Sequence, residues 1–175
     1  MARWAFGSLL CVVCVGWHTG CSTVAKQALY EVRGAKAEVV LNNEVEPGVL
    51  EPYRSIEFTP VTTSLSPRLC PPELLETYDQ TARMLPEELA GEYPGGEPRL
   101  VADSEVIFFQ RKGIMSQAQM LTRLRLRDGQ RLVVDAIVKC ESKAFREGGV
   151  HDLAETTVKG LRKWLRKQKG VKEED

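Results

Sequence analysis

The sequence is short of histidine, of surplus charge and of any long hydrophobic stretch. No apolar run reaches the ~20 residues that a helix needs to cross a bilayer, so a permanent helical span is excluded. Lysine plus arginine number 24 and aspartate plus glutamate 24, a formal net charge of zero. Nucleic-acid binders rest on a basic excess, and none is present. The two histidines are His18 and His151, too few to anchor a metal site, which needs about three or four converging ligands. HExxH, GxSxG and phosphate-cradling P-loop motifs are missing, as are internal repeats and low-complexity tracts. Gly95-Gly96 sits between Pro94 and Pro98 and reads as turn chemistry. Glu73 with Glu76, and Glu87 with Glu88, fit the first turns of helices better than an acid/base pair. No cofactor, metal or catalytic set is therefore expected, and the protein is not expected to be an enzyme. What remains is 175 residues, 43% hydrophobic and 27% charged, enough for one compact domain with specialised ends.

The N-terminus carries Arg3 as its only charge before Lys26, followed by a nearly continuous apolar run from Trp4 to Trp17. A short positive region, an apolar core and small residues after it make a secretory signal over residues 1–20. A buried core helix is the competing reading, but it would show a polar face, and this run has none. The run ends in His18-Thr19-Gly20-Cys21, which resembles the lipobox of bacterial lipoproteins. Thr19, Gly20 and Cys21 match that pattern, while His18 stands where an aliphatic residue is usual. The resemblance implies that Cys21 receives lipid, palmitate-like acyl chains whose buried methylenes hold the protein on a membrane. Ser22 after the anchor then implies the periplasmic face of the outer membrane. The alternative is ordinary cleavage after Thr23-Val24-Ala25, releasing a soluble periplasmic or secreted protein.

Cys11 and Cys14 lie inside the signal, so their spacing is no redox or metal motif. Only Cys70 and Cys140 remain beyond Cys21, an even number in an oxidising compartment. They form either a disulfide or two buried free thiols.

Residues 21–50 read as a tether that partly docks on the domain, with a short helix over Ala25–Val32 or a short strand over Ala37–Leu41; Glu46-Pro47-Gly48 then breaks the chain. The folded domain is placed at 51–170, with an acidic tail at 171–175. Ser55–Val61 alternates as a strand whose far end Pro60 confines to an edge or bulge. Pro71 and Pro72 open a helix with Leu74, Tyr78, Ala82, Leu85 and Leu89 on one stripe, and Pro86 predicts a kink or restart. Leu100–Gln110, apolar on both faces at Val106-Ile107-Phe108-Phe109, reads as a central strand. Ile114–Arg127 alternates with even positions apolar and odd positions wet, and Arg131–Glu141 continues with Leu132, Val134, Ala136, Val138 and Cys140. Parity argues against a two-residue turn at Asp128-Gly129. A three-residue loop of Arg127, Asp128 and Gly129 keeps even opposite even, with Leu124 facing Leu132, Arg125 facing Arg131 and Gly129 left-handed. Asp152 is the expected N-cap of a last helix, with Glu155 completing a capping box. Ala154, Thr157, Val158, Leu161, Trp164 and Leu165 make its apolar stripe; Lys159, Arg162, Lys163, Arg166, Lys167 and Lys169 cover the rest, with the lysines left free to face a membrane surface. The fold class is α+β: a four-stranded, mainly antiparallel sheet with two helices on one face, in the order β-α-β-β-β-α.

That order over Tyr53–Lys169 resembles a periplasmic domain shared by the curli-secretion lipoprotein, the lipoprotein activators of penicillin-binding proteins and the N-terminal domain of the Tol translocation protein. The resemblance rests on the opening strand Tyr53–Val61, the Leu74–Leu89 helix, the Leu124–Val138 hairpin and the Leu153–Leu165 helix. It implies an adaptor role in the envelope with a protein partner and carries no catalytic residue. A second candidate surface is the hairpin face bearing Arg123, Arg125, Arg127 and Arg131. Like charges set opposite each other cost stability unless an anion or a carboxylate answers them. The face is therefore either a site for anionic glycan or lipid headgroups, or a solvated face relieved by Asp128 and Asp135. A basic amphipathic final helix can also lie on anionic lipid, although its apolar stripe is needed to cover the sheet.

Overall fold

A computed structural model describes residues 35–111, 117–142 and 149–171. The signal, Cys21, the Ala25–Val32 segment, Ile114 with Ser116, and Glu173-Glu174-Asp175 lie outside the described residues. The elements run β1 (Ala35–Leu41), β2 (Ser55–Phe58), β3 (Thr62–Thr63), α1 (Pro72–Glu88), β4 (Arg99–Gln110), β5 (Ala118–Asp128), β6 (Arg131–Ser142) and α2 (Val150–Gln168). The α+β class with two helices stands. Among the described residues the sheet has six strands rather than four, in the order β1-β6-β5-β4-β2, with β3 also pairing β4. Its β4-β5-β6-β1 portion is antiparallel, and only β2 and β3 run parallel to β4.

The two added strands are β1, and β3 from the split of the expected Ser55–Val61 strand. Ala35–Leu41 pairs with β6 along its whole length, from Ala35 opposite Ser142 to Leu41 opposite Ala136. The short strand expected over Ala37–Leu41 is thus part of the sheet. The expected Ser55–Val61 strand is broken after Phe58 and resumes at Thr62 against the same strand. Thr59 still donates its N–H to the Ala102 carbonyl at 3.0 Å, but Pro60 has no donor to continue the ladder.

The core forms where even-numbered sheet positions meet the helices. Leu100, Ala102, Val106, Met120, Leu124, Leu126, Val134, Ala136, Val138 and Cys140 are buried beside Leu74, Tyr78, Leu85, Leu161 and Leu165. At the centre, Tyr78 is fully buried, and its hydroxyl donates to Ser104 Oγ at 3.5 Å. Burial pushes that phenol up to about 12. The first helix keeps its expected stripe and runs through Pro86 without a restart, ending two residues later. A proline in the last turn gives up a single backbone bond.

The hairpin corrects the expected loop. Asp128 pairs with Arg131 and Arg127 with Leu132, leaving a two-residue turn at Gly129-Gln130. Even meets even higher up because Val133 is an extra residue: Leu126 pairs with Val134 and Leu124 with Ala136. Parity was met by a bulge inside the strand rather than by a longer loop. Gly129 does adopt the left-handed backbone, with φ of 56°. Leu132, expected in the core, ends 43% exposed, because the bulge changes which face it joins. A second bulge at Ile107 in β4 resolves the doubly apolar Val106–Phe109 stretch: Val106 is buried, Phe108 is exposed and Phe109 packs on the core. The last helix starts one turn earlier than expected. Gly149 is its N-cap, and Asp152, three residues in, accepts the Gly149 N–H at 3.3 Å.

Candidate functional site

The sheet face left uncovered by the described residues is built mainly from the odd positions of β4, β5 and β6. Arg123, Arg125 and Arg127 stand on it in a column, as their alternation requires. Each is answered by a carboxylate from a neighbouring strand. Arg123 donates through Nε and Nη2 to the two oxygens of Asp135, at 3.1 and 2.6 Å. Arg125 reaches Glu105 at 2.9 Å and Arg127 reaches Asp103 at 3.1 Å, while Lys139 meets Glu141 at 2.7 Å. Arg123, Arg125, Arg127 and Lys139 are thus each matched by a carboxylate. Asp135 also accepts from Asn42 Nδ2 at 3.1 Å. The hydrogen bonds from Arg123, then that from Asn42 and the arginine charges, hold its carboxyl below the usual range against the opposing effect of burial.

The expected pairing of Arg125 with Arg131 is overturned by the register. Arg125 lies opposite Asp135, and Arg131 lies opposite Asp128, whose carboxylate accepts the Tyr53 hydroxyl at 3.1 Å. Arg131 therefore leaves the group and stands on the helix side of the sheet. Cross-strand ion pairs answer the charges of the other three.

The register also assembles a feature that linear reading misses. Val40 lies opposite Ile137, Leu121 opposite Phe108, and Ile137 is a diagonal neighbour of Leu121. An apolar diagonal thus crosses the uncovered face from β1 to β4, with Val40 47% and Phe108 39% exposed at its ends. Nothing in the spacing of these four residues signals it, because the Ile107 bulge sets the phase of Phe108.

A second surface lies where α2 crosses β1. A Cβ added to Gly160 would stand 2.5 Å from the Ala37 Cβ, so only glycine lets the helix approach this closely. Beside that crossing is a groove of about 720 Å³, lined by Ala37, Glu38, Val39, Lys163, Trp164, Lys167 and Val171. Trp164, expected in the core stripe, is only half-buried there. The helix ends in a Schellman turn at Gly170, with Val171 N–H on the Arg166 carbonyl at 3.2 Å.

The remaining candidates have structural partners. Arg162 meets Glu88 at 2.6 Å and Arg166 meets Glu92 at 3.0 Å, so two arginines of the basic helix tie it to the end of α1 and the turn after it. Lys169 donates to the carbonyls of Glu51 and Tyr53 and stacks 4.7 Å over the Tyr93 ring. Desolvation there lowers its pKa. His151 Nδ1 lies 2.8 Å from Thr77 Oγ1, joining the two helices. Cys70 and Cys140 are both buried and free. Burial raises both thiols, Cys140 to about 11. Among the described residues no cluster of His, Cys, Asp and Glu could hold a metal ion, and no helix is long and apolar enough to cross a membrane.

No protein-family model and no curated protein sequence matches the chain. Among solved structures it is similar to the PelC dodecamer from Paraburkholderia phytofirmans, with a TM-score of 0.42 and 12% identity, covering 73% of this chain and 95% of that one. A single-substitution variant of the same dodecamer gives a TM-score of 0.46 at the same identity and coverage. The likeness is distant.

Proposed function

We propose that this is a non-enzymatic, lipid-anchored envelope protein that serves as an adaptor, binding a protein partner through the uncovered sheet face or an edge strand. The export signal and Cys21 in its near-lipobox support the location. The observation that carries the binding role is the uncovered face itself, an apolar diagonal set in a charge-balanced lattice of ion pairs. A protein surface can bury apolar side chains flanked by satisfied charges at little desolvation cost, whereas an unpaired charge there would oppose docking. The same pairing speaks against the alternative, an anionic glycan or lipid headgroup held by the arginines, because each arginine of the column already has a carboxylate.

Crosslinking of the full-length protein in intact envelopes, with crosslinked peptides identified by mass spectrometry, tests this reading. The expected result is one recurrent protein partner joined through the face around Val40, Leu121, Ile137 and Phe108 or through an edge strand. No partner above background, or crosslinks scattered over every surface, overturns it.

A further inference from the structure

The two edges of the sheet are built differently. On the β2 side the edge strand has four residues, then the Thr59-Pro60-Val61 break, then two more residues. Short pieces and a proline keep an edge from recruiting another strand. On the other side β1 pairs regularly with β6 over seven residues, with no proline and no bulge. Its outer row of main-chain groups meets no strand among the described residues. Asn42 continues the same register and donates its N–H to the Asp135 carbonyl at 2.8 Å. Main-chain groups alternate in direction along an antiparallel strand. Lys36, Glu38 and Val40 therefore bond toward β6, while Ala35, Ala37 and Val39 turn their N–H and C=O groups outward.

Side chains alternate as well, so Lys36 and Glu38 stand exposed on the uncovered face, two residues apart. Neither closes an ion pair among the described residues. They lie opposite Glu141 and Lys139 of β6, which are joined to each other at 2.7 Å. This pair of opposite charges is self-complementary. When a second copy adds antiparallel to β1 about a two-fold axis through Ala37, each Lys36 falls opposite the second copy's Glu38. Ala37 then meets Ala37 and Ala35 meets Val39, the residues whose main-chain groups point outward. An axis through Lys36 or through Glu38 would set like charges face to face, which is destabilising. An axis through Val39 would set Lys36 opposite Asn42 and Glu38 opposite Val40. The register on Ala37 instead extends alternating charge from one β6 to the other, in the order Glu141, Lys36, Glu38, Lys139. From these features we infer that β1 is a homodimer interface, at which two copies of this chain join their sheets by antiparallel pairing about Ala37. The groove reaches β1 at Ala37, Glu38 and Val39, so the stretch of edge that the pairing uses is open on the helix side. Gly160 rests on Ala37 and presents no side chain where the two copies of α2 approach. Two-fold pairing consumes the open edge of both copies, and assembly closes at two. The inference goes beyond the adaptor reading and does not depend on it, since the uncovered faces of both copies stay on the same side of one continuous sheet.

Native mass spectrometry of the full chain released from detergent tests the pairing. The expected result is a dimer and no larger species. Lys36→Glu and Glu38→Lys each set like charges across the axis, so either variant alone should dimerise at least about tenfold more weakly. Mixed in equal amounts, the two variants should form a mixed dimer, because one then brings two carboxylates to the two lysines of the other. Each variant keeps its own intrachain charges in the mixture, so the recovery reports the contact between copies. Val39→Pro should also give a monomer. The Val39 N–H points away from β6, so proline there removes no bond within the fold, and circular dichroism checks that every variant is folded. A wild-type chain that stays monomeric, or that grows into open-ended oligomers, overturns the inference. So do single variants that dimerise like wild type, and folded variants whose mixture yields no mixed dimer. A different protein crosslinked at Lys36 in intact envelopes, with the isolated chain monomeric, makes that protein the occupant and overturns it too. A partner crosslinked through the Val40–Phe108 diagonal of a monomeric chain would leave the adaptor reading standing and remove only this interface.

Discussion

Asp135 concentrates more of the uncovered face than any other side chain, since it takes two bonds from Arg123, one from Asn42 and a register position opposite Arg125. Asp135→Asn should cost about 1–3 kcal/mol in urea unfolding at neutral pH, the range for stranding a polar partner. The pH dependence follows from the lowered carboxyl. The unfolded chain holds this proton more tightly, so the stabilisation is complete above the ordinary Asp value of about 4. It is lost as the pH falls through the lower folded value. The gap between wild type and Asp135→Asn should therefore close on acidification, and a gap that stays constant from neutral pH to pH 3 would contradict the pairing. The two buried cysteines belong to the same scale. Because only the thiolate is nucleophilic and burial raises both thiols, neither should alkylate in the folded protein while both do in urea. A mass measured without reductant should show two free thiols, and a loss of two hydrogens would contradict the structure.

Elements here depend on backbone geometry that side-chain periodicity does not carry. The hairpin turns at Gly129, whose φ of 56° suits glycine. Gly129→Ala should destabilise by about 1–2 kcal/mol, the usual cost of a left-handed residue with a Cβ. Gly129→Asn should cost less, and chemical denaturation of the two variants ranks them. The crossing of α2 over β1 is more demanding, because the methyl added by Gly160→Ala meets the short, fixed Ala37 side chain. Overpacking of this kind costs about 1–3 kcal/mol. Adding Ala37→Gly should recover much of the loss, and a double variant no more stable than Gly160→Ala would show that the helix is not seated there. The helices themselves were readable: Leu74, Tyr78, Ala82 and Leu85 are all buried as their spacing implies. The last helix was read one turn late because Gly149 caps it through its backbone, leaving Asp152 to look like the cap. The two bulges were not readable. An extra residue at Val133 or Ile107 is chosen by twist and by the fit to neighbouring strands, and it leaves alternation on either side intact.

At the scale of the whole molecule, the described residues put two helices on one face of the sheet and, on the other, a set of ion pairs crossed by the apolar diagonal. The proposed anchor sets how those surfaces are presented. Cys21→Ala should move the protein from the membrane fraction to the soluble fraction of fractionated envelopes, and unchanged attachment would remove the anchor from the proposal. Partner capture by the uncovered face should be weakened by Leu121→Lys without loss of the folded state, since Leu121 is only half-buried on that face, and crosslink yield measures it.

The amino-acid order alone determined the α+β class, the buried stripes of both helices and the wet odd face of β5, because periodicity and local composition are properties of neighbouring residues. Tertiary structure decided the rest. It recruited Ala35–Leu41 as a strand, because the free ladder groups of β6 are satisfied by a partner nearly a hundred residues away in sequence. It separated Arg131 from Arg123, Arg125 and Arg127, because a register holds for a pair of strands and cannot be read from either one. It opened the Trp164 groove, because the helix descends onto β1 only where Gly160 and Ala37 happen to meet.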